Sequence, residues 1–132
     1  MRILMRVAIP VDAGNEAIVN GKLMSVVQTF TEQHKPEAAY FYADDNGQRC
    51  CAMVLDMKDA SEIPGLAEPW FLALKGQVTF RPVMNAADLG AAGAGIERAV
   101  KAHAKATKAQ IRTADALMSR VDRNFSVSRP FH

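Results

Sequence analysis

Five side chains with chemistry to offer stand at alternating positions of short apolar segments. They are Arg6 in RILMRVAI, Tyr40 and Tyr42 in AAYFYA, and Thr79 and Arg81 in VTFRP. A guanidinium presents a planar fork of donors that fits a carboxylate or phosphate, and a tyrosine joins an apolar ring to a hydroxyl donor. Gathered on one surface, these groups suit a small aromatic or carboxylated organic molecule. Arg6 and Arg81 would hold charge, Tyr40 and Tyr42 would orient the ring, and Thr79 would add a hydroxyl. A plainer use competes with this one: Arg6 can pair with Asp56, and the tyrosines can fill an interface between subunits, because structural ion pairs and buried tyrosines are commoner than ligand contacts.

The remaining reactive groups carry weaker signals. Cys50 and Cys51 are adjacent, so on a strand they point to opposite faces and cannot both serve one pocket. No C-x-x-C spacing accompanies them and no pair of histidines has ligand spacing, so no metal site is expected. A disulfide between neighbours is strained, which leaves free thiols with Cys51 in the core. Nothing nearby in the sequence lowers the pKa of Cys50 and makes it a nucleophile. His34 ends a helical run, where a cation suits the carbonyl end of the dipole, and it is the one candidate for moving a proton. His103 lies among lysines and His132 at the end of the sequence. The stretch GAAGAG at 90–95 has the order G-x-x-G-x-G and follows the last strand segment, so it reads as a flexible turn and not as a dinucleotide loop. No cofactor is implied.

The elements that must position these residues follow from periodicity. Ile3, Met5, Val7 and Ile9 alternate with Leu4, Arg6 and Ala8, the pattern of a half-buried strand, which Pro10 closes. Val19, Leu23, Val26 and Phe30 recur at helical spacing over about 17–34, with Gly21 a point where that helix starts late or breaks and Lys35-Pro36 its end. AAYFYA, the turn residues Asp45-Asn46-Gly47 and a second strand over 48–57 make a hairpin. Ser61 can cap a further helix, Pro64 suits its first turn, and Ile63, Leu66, Trp70, Phe71 and Leu74 give it an apolar stripe up to Gly76; Pro69 should kink or divide it. Val78, Phe80 and Met84 alternate in a fourth strand. The order is βαββαβ, the split βαβ arrangement of an α+β, ferredoxin-like domain with a four-stranded antiparallel sheet. If Ile3, Met5, Val7, Phe41, Cys51, Met53, Leu55, Val78 and Phe80 pack on the helices, then Leu4, Arg6, Tyr40, Tyr42, Cys50, Ala52, Val54, Asp56, Thr79 and Arg81 face the other way. That second face lacks cover, and another copy of the chain is its simplest source.

The runs KPEAAYFYADDNGQRCCAMVLDM, IPGLAEPWFLAL and VTFRPVMNAADL resemble small bacterial proteins of uncharacterised function in the dimeric α/β-barrel superfamily, over approximately residues 1–90. The resemblance implies a homodimer whose two sheets pack face to face. That superfamily also holds cofactor-free monooxygenases, lactone isomerases and haem-handling enzymes, and no motif here belongs to one of those groups. The segment beyond about residue 95 departs from the core fold.

Composition bounds these readings. A chain of 132 residues with 49% hydrophobic and 23% charged content can bury an ordinary core. No apolar run approaches the roughly 20 residues that cross a bilayer, and Arg6 and Asp12 break the uninterrupted stretch a secretory signal needs, so a cytoplasmic protein without a membrane partner is expected. Residues 1–95 hold 8 Lys/Arg against 11 Asp/Glu, and residues 96–132 hold 8 against 3. The basic part, within a second segment at 91–132, reads as one amphipathic helix with Ile96, Val100, Thr107, Ile111, Ala114, Met118 and Val121 on its stripe, followed by the disordered-looking SVSRPFH. Glu97, Asp115 and Asp122 and the lack of interleaved aromatics argue against nucleic acid as its partner. Two functions remain in view. One is a homodimer that takes a small anionic or aromatic molecule, with a cofactor-free reaction within reach of the same site. The other is a non-catalytic scaffold acting through its basic helix.

Overall fold

Alternation of apolar residues in the first segment becomes strand β1, Arg2–Ile9, in which Ile3, Met5 and Val7 are buried while Leu4 and Arg6 are only partly covered. The structure is a computed structural model that describes residues 1–104 and 108–125. After β1 come helices α1, Val11–Val19, and α2, Lys22–His34, then strands β2, Ala38–Ala43, and β3, Arg49–Asp56. A 3₁₀ turn at Ala60–Glu62 leads into helix α3, Ile63–Leu74, and strand β4, Gln77–Pro82. The break expected at Gly21 is present: the glycine is left-handed at φ 77 and separates α1 from α2.

The four strands form one antiparallel sheet in the order β2-β3-β1-β4, giving the α+β, βαββαβ architecture. Register matches the pleat expected from the sequence. Val7 stands opposite Cys51 and Val78, Met5 opposite Met53 and Phe80, and Ile3 opposite Leu55. These residues meet Ala17 of α1, Phe30 of α2 and Leu66, Trp70 and Leu74 of α3 in one core. Burying a side chain of this size contributes roughly 1.5–3 kcal/mol. Trp70 is fully buried and meets Phe30 edge to face at a centroid distance of 5.1 Å.

Four local features differ from what the sequence predicts. The helix α3 runs unbroken through Pro69. A proline inside a helix costs about 3 kcal/mol, and the burial of Leu66, Trp70 and Leu74 on one stripe of α3 outweighs it. Its entry is capped by Asp59 and not Ser61: the Asp59 carboxylate accepts from the Ser61 amide at 2.8 Å, and Glu62 accepts from the Asp59 amide at 2.9 Å. At its exit the left-handed residue is Lys75 at φ 53, not Gly76. Gly76 is instead where chains approach closely, since a Cβ there would lie 3.1 Å from Val7 Cγ1. Strand β4 stops at Pro82, two residues before Met84.

The chain divides into two compact units, Met1–Met84 and Asn85–His132. The second holds helices α4, Ala86–Ala91, α5, Gly93–His103, and α6, Lys108–Phe125. The glycine-rich stretch is therefore helical on both sides of the single turn residue Ala92, not a flexible turn. The basic segment expected as one helix is described as α5 and α6, with a turn at Ala104; Thr107, the side chain of Ile111, and residues 126–132 including His132 lie outside the described residues. Among the described residues no helix is long and apolar enough to cross a membrane.

Candidate functional site

The helices of the first unit cover one face of the sheet and leave the other bare, and the bare face carries the candidate residues. Antiparallel register aligns Thr79 of β4, Arg6 of β1, Ala52 of β3 and Tyr40 of β2 in one row across all four strands. Neighbouring rows place Arg81 beside Leu4 and Val54, and Tyr42 beside Cys50. Strands about 4.8 Å apart put Tyr40 about 10 Å from Arg6, with only the methyl of Ala52 between them. A shallow concavity of about 250 Å³ on this face is lined by Leu4, Arg6, Thr79 and Arg81. Tyr40 and Tyr42 are 67% and 43% exposed, large values for aromatic residues of a sheet.

Arg6 is held in place. Its Nε donates to the Tyr42 hydroxyl at 3.0 Å and its Nη2 donates to Asp44 Oδ2 at 3.1 Å. The hydrogen bond with Tyr42, first among several favourable contacts, holds the guanidinium above its already high range. Asp44 is the organising residue: its side chain is only 5% exposed, and Oδ1 accepts from the amides of Asn46 at 3.0 Å and Gln48 at 2.9 Å. One carboxylate thus closes the hairpin turn on one side and holds the sheet's central arginine on the other. The pairing of Arg6 with Asp56 that shared facing suggested does not occur. Asp56 stands opposite Arg2, four residues along β1 and roughly 14 Å away. It accepts instead from the Met1 amino group at 3.0 Å, the contact that most lowers its pKa.

Arg81 differs from Arg6. It is exposed, and among the described residues it has no hydrogen-bond or ion-pair partner. The charge this face can offer to an incoming anion is therefore that of Arg81, with Arg6 beside it already neutralised. Tyr42 has its pKa raised, chiefly by its hydrogen bond with Cys50 and against the opposing effect of Arg6. At neutral pH it is a hydroxyl and not a base.

His34 is not part of this group. It lies at the end of α2, stacked on Phe30 at a centroid distance of 4.5 Å, in the helix layer and so across the sheet from Arg6 and Arg81. Both cysteines are buried free thiols. Burial pushes the Cys51 thiol up to about 11, and it faces the helices, opposite to Cys50, as alternation required. Among the described residues no group of three or more His, Cys, Asp or Glu is placed to hold a metal ion. Asp44 is the residue that the sequence reading missed. Its position directly after a strand, with a glycine three residues on, is the Asx-turn signal that would have found it.

No protein-family model matches the chain, and no curated protein does. Among solved structures, a formyltetrahydrofolate deformylase from Pseudomonas putida is similar at a TM-score of 0.39 and 16% sequence identity, over 62% of this chain and 28% of that chain.

Proposed function

We propose that a second copy of the chain closes over the bare sheet face, as in the dimeric α/β-barrel superfamily, and that the enclosed concavity binds a small organic anion with an aromatic body. The observation that carries this reading is Arg81, unpartnered among the described residues, beside Thr79 and Leu4 on a face whose floor of Leu4, Ala52 and Val54 is apolar. Arg81 would hold the carboxylate, Thr79 would donate its hydroxyl, and Tyr40 would stack against the ring. Arg6 would act as a fixed wall, positioned by Asp44 and Tyr42. Enclosure matters because an ion pair exposed to water contributes about 1 kcal/mol or less, and the same pair out of water selects its partner far more sharply. With His34 across the sheet and Tyr42 protonated, the residues on this face favour binding over proton transfer.

Thermal shift with benzoate tests it. The protein should gain stability as benzoate rises, by about 2.7 kcal/mol at 100 times the dissociation constant. Arg81→Ala should remove most of that gain, and charge reversal at Arg98, Lys101 and Arg112 should leave it intact. The opposite pattern would overturn the proposal.

A second reading rests on the basic segment. Leu117, Met118 and Val121 of α6 are 56%, 60% and 42% exposed, an apolar stripe beside Arg112, Arg120 and Arg123. Such a helix suits docking on a partner protein, and in that case the charge reversals would abolish function while Arg81→Ala would not.

A further inference from the structure

A second cavity lies at the hairpin end of the sheet, where Tyr42 and Cys50 of the bare face line it together with Cys51. Between α2 and the end of the sheet where β2 and β3 meet, a cleft of about 320 Å³ is walled by Leu23 and Val27 of α2, Ile9 of β1, Phe41 of β2 and Trp70 of α3. The size falls at the small end of organic ligand sites, and a mostly apolar wall with a few polar groups is their usual make-up.

Two features of this cleft are left unexplained by packing. Trp70 is completely buried, yet its Nε1–H has no acceptor among the described residues. Buried donors are nearly always paired, so the orphan in a side chain that lines the cleft is a polar group the described residues leave unsatisfied. At the cleft also stands Arg49, whose Nη2 donates to the neutral Oδ1 of Asn15 at 3.0 Å and which, among the described residues, has no carboxylate partner. The guanidinium packs closely on the α1 backbone: a Cβ on the buried Gly14 would lie 2.7 Å from Arg49 Nη1. Phe41, 59% exposed, forms a wall that no described residue covers fully.

We infer that this cleft binds a compact acyl or aryl carboxylate, its apolar body between Leu23, Val27 and Phe41 and its anionic head on Arg49. The Trp70 indole supplies a buried hydrogen bond to a ligand oxygen. Charge and volume agree, since Arg49, without a carboxylate partner among the described residues, stands beside a mostly apolar cleft of about 320 Å³. The cleft and the Arg81 concavity have no lining residue in common, and Tyr42, which holds Arg6, lines the cleft.

Trp70 is the only tryptophan of the chain, so its emission reports on the cleft directly. Titration with octanoate should change that emission saturably. Arg49→Gln should weaken octanoate by about tenfold, as expected for losing a charged hydrogen bond, and leave octanol unchanged. Phe41→Ser, at an exposed position, should weaken both, while Arg81→Ala should affect neither. Absence of a saturable response to octanoate, or an Arg49→Gln titration that superimposes on that of the parent protein, would overturn the inference. So would a response that follows Arg81 and ignores Arg49, because it would move the binding to the Arg81 concavity.

Discussion

The Arg6 guanidinium reaches Asp44 Oδ2 at 3.1 Å, and this contact ties the centre of the sheet's bare face to the hairpin turn beyond β2. The two residues are 38 positions apart in the chain. Asp44 spends its other oxygen on two backbone amides, so the turn and the arginine are held by one side chain.

Asp44→Ala should therefore destabilise the fold by about 2–3 kcal/mol, the cost of leaving buried donors unpaired and losing a charged hydrogen bond. Asp44→Asn keeps an acceptor for the turn amides and should cost about half as much. Urea denaturation of the two variants checks the order.

The Tyr42 hydroxyl lies between opposing influences, and they can be separated. Cys50 raises its pKa and Arg6 lowers it. Cys50→Ala should bring Tyr42 down toward the ordinary phenol range, and Arg6→Gln should send it higher. Ultraviolet absorbance of the phenolate, with Tyr40→Phe as background, reads both shifts.

Cys51 gives stability a dependence on alkaline pH. The folded thiol holds its proton up to about 11 against an ordinary value of 9.0, because burial disfavours the thiolate. A raised folded pKa means that the contribution is fully present below 9.0 and is lost as pH rises toward about 11. The loss across that window amounts to about 2–3 kcal/mol. Denaturation midpoints of the parent protein should fall more steeply across it than those of Cys51→Ala. Equal slopes would contradict the assignment.

Lys75 adopts a left-handed conformation at φ 53, which glycine adopts at less cost. Lys75→Gly should stabilise the protein by about 0.5–1 kcal/mol, the strain relieved being partly returned as chain entropy. Gly76→Ala should do the reverse, because its Cβ would press on Val7 and on the Trp70 carbonyl. Thermal melts of the two variants distinguish them by sign.

The sheet was legible because a pleat has a strict period of two: once Met5 and Val7 were placed inward, the outward positions of Arg6, Tyr40, Thr79 and Arg81 followed without reference to long-range contacts. Pairing within that face was not legible. Arg6, Asp44 and Asp56 all carry suitable charges, and only the register decides that Asp56 stands opposite Arg2 while Asp44 comes within reach of Arg6. Local breakers misled in two places. Pro69 lowers helix propensity, but propensity is a weak influence beside packing, and the buried stripe of α3 keeps that helix whole. The glycines at 90–95 lie in α4 and α5, which have no buried residues, and nothing in their packing explains those helices. The cleft at the hairpin end of the sheet was invisible because its features are products of packing: among the described residues, an indole without an acceptor and an arginine without a carboxylate.

In the proposed dimer a second copy of the chain closes the bare face of the sheet. Sedimentation equilibrium at micromolar concentration tests it most directly, with a charged substitution on that face, Val54→Glu, run in parallel. The account predicts twice the chain mass for the parent protein and the mass of a single chain for the variant. A folded parent protein that sediments as a single chain would contradict it, and the Arg81 concavity would then lie open to water.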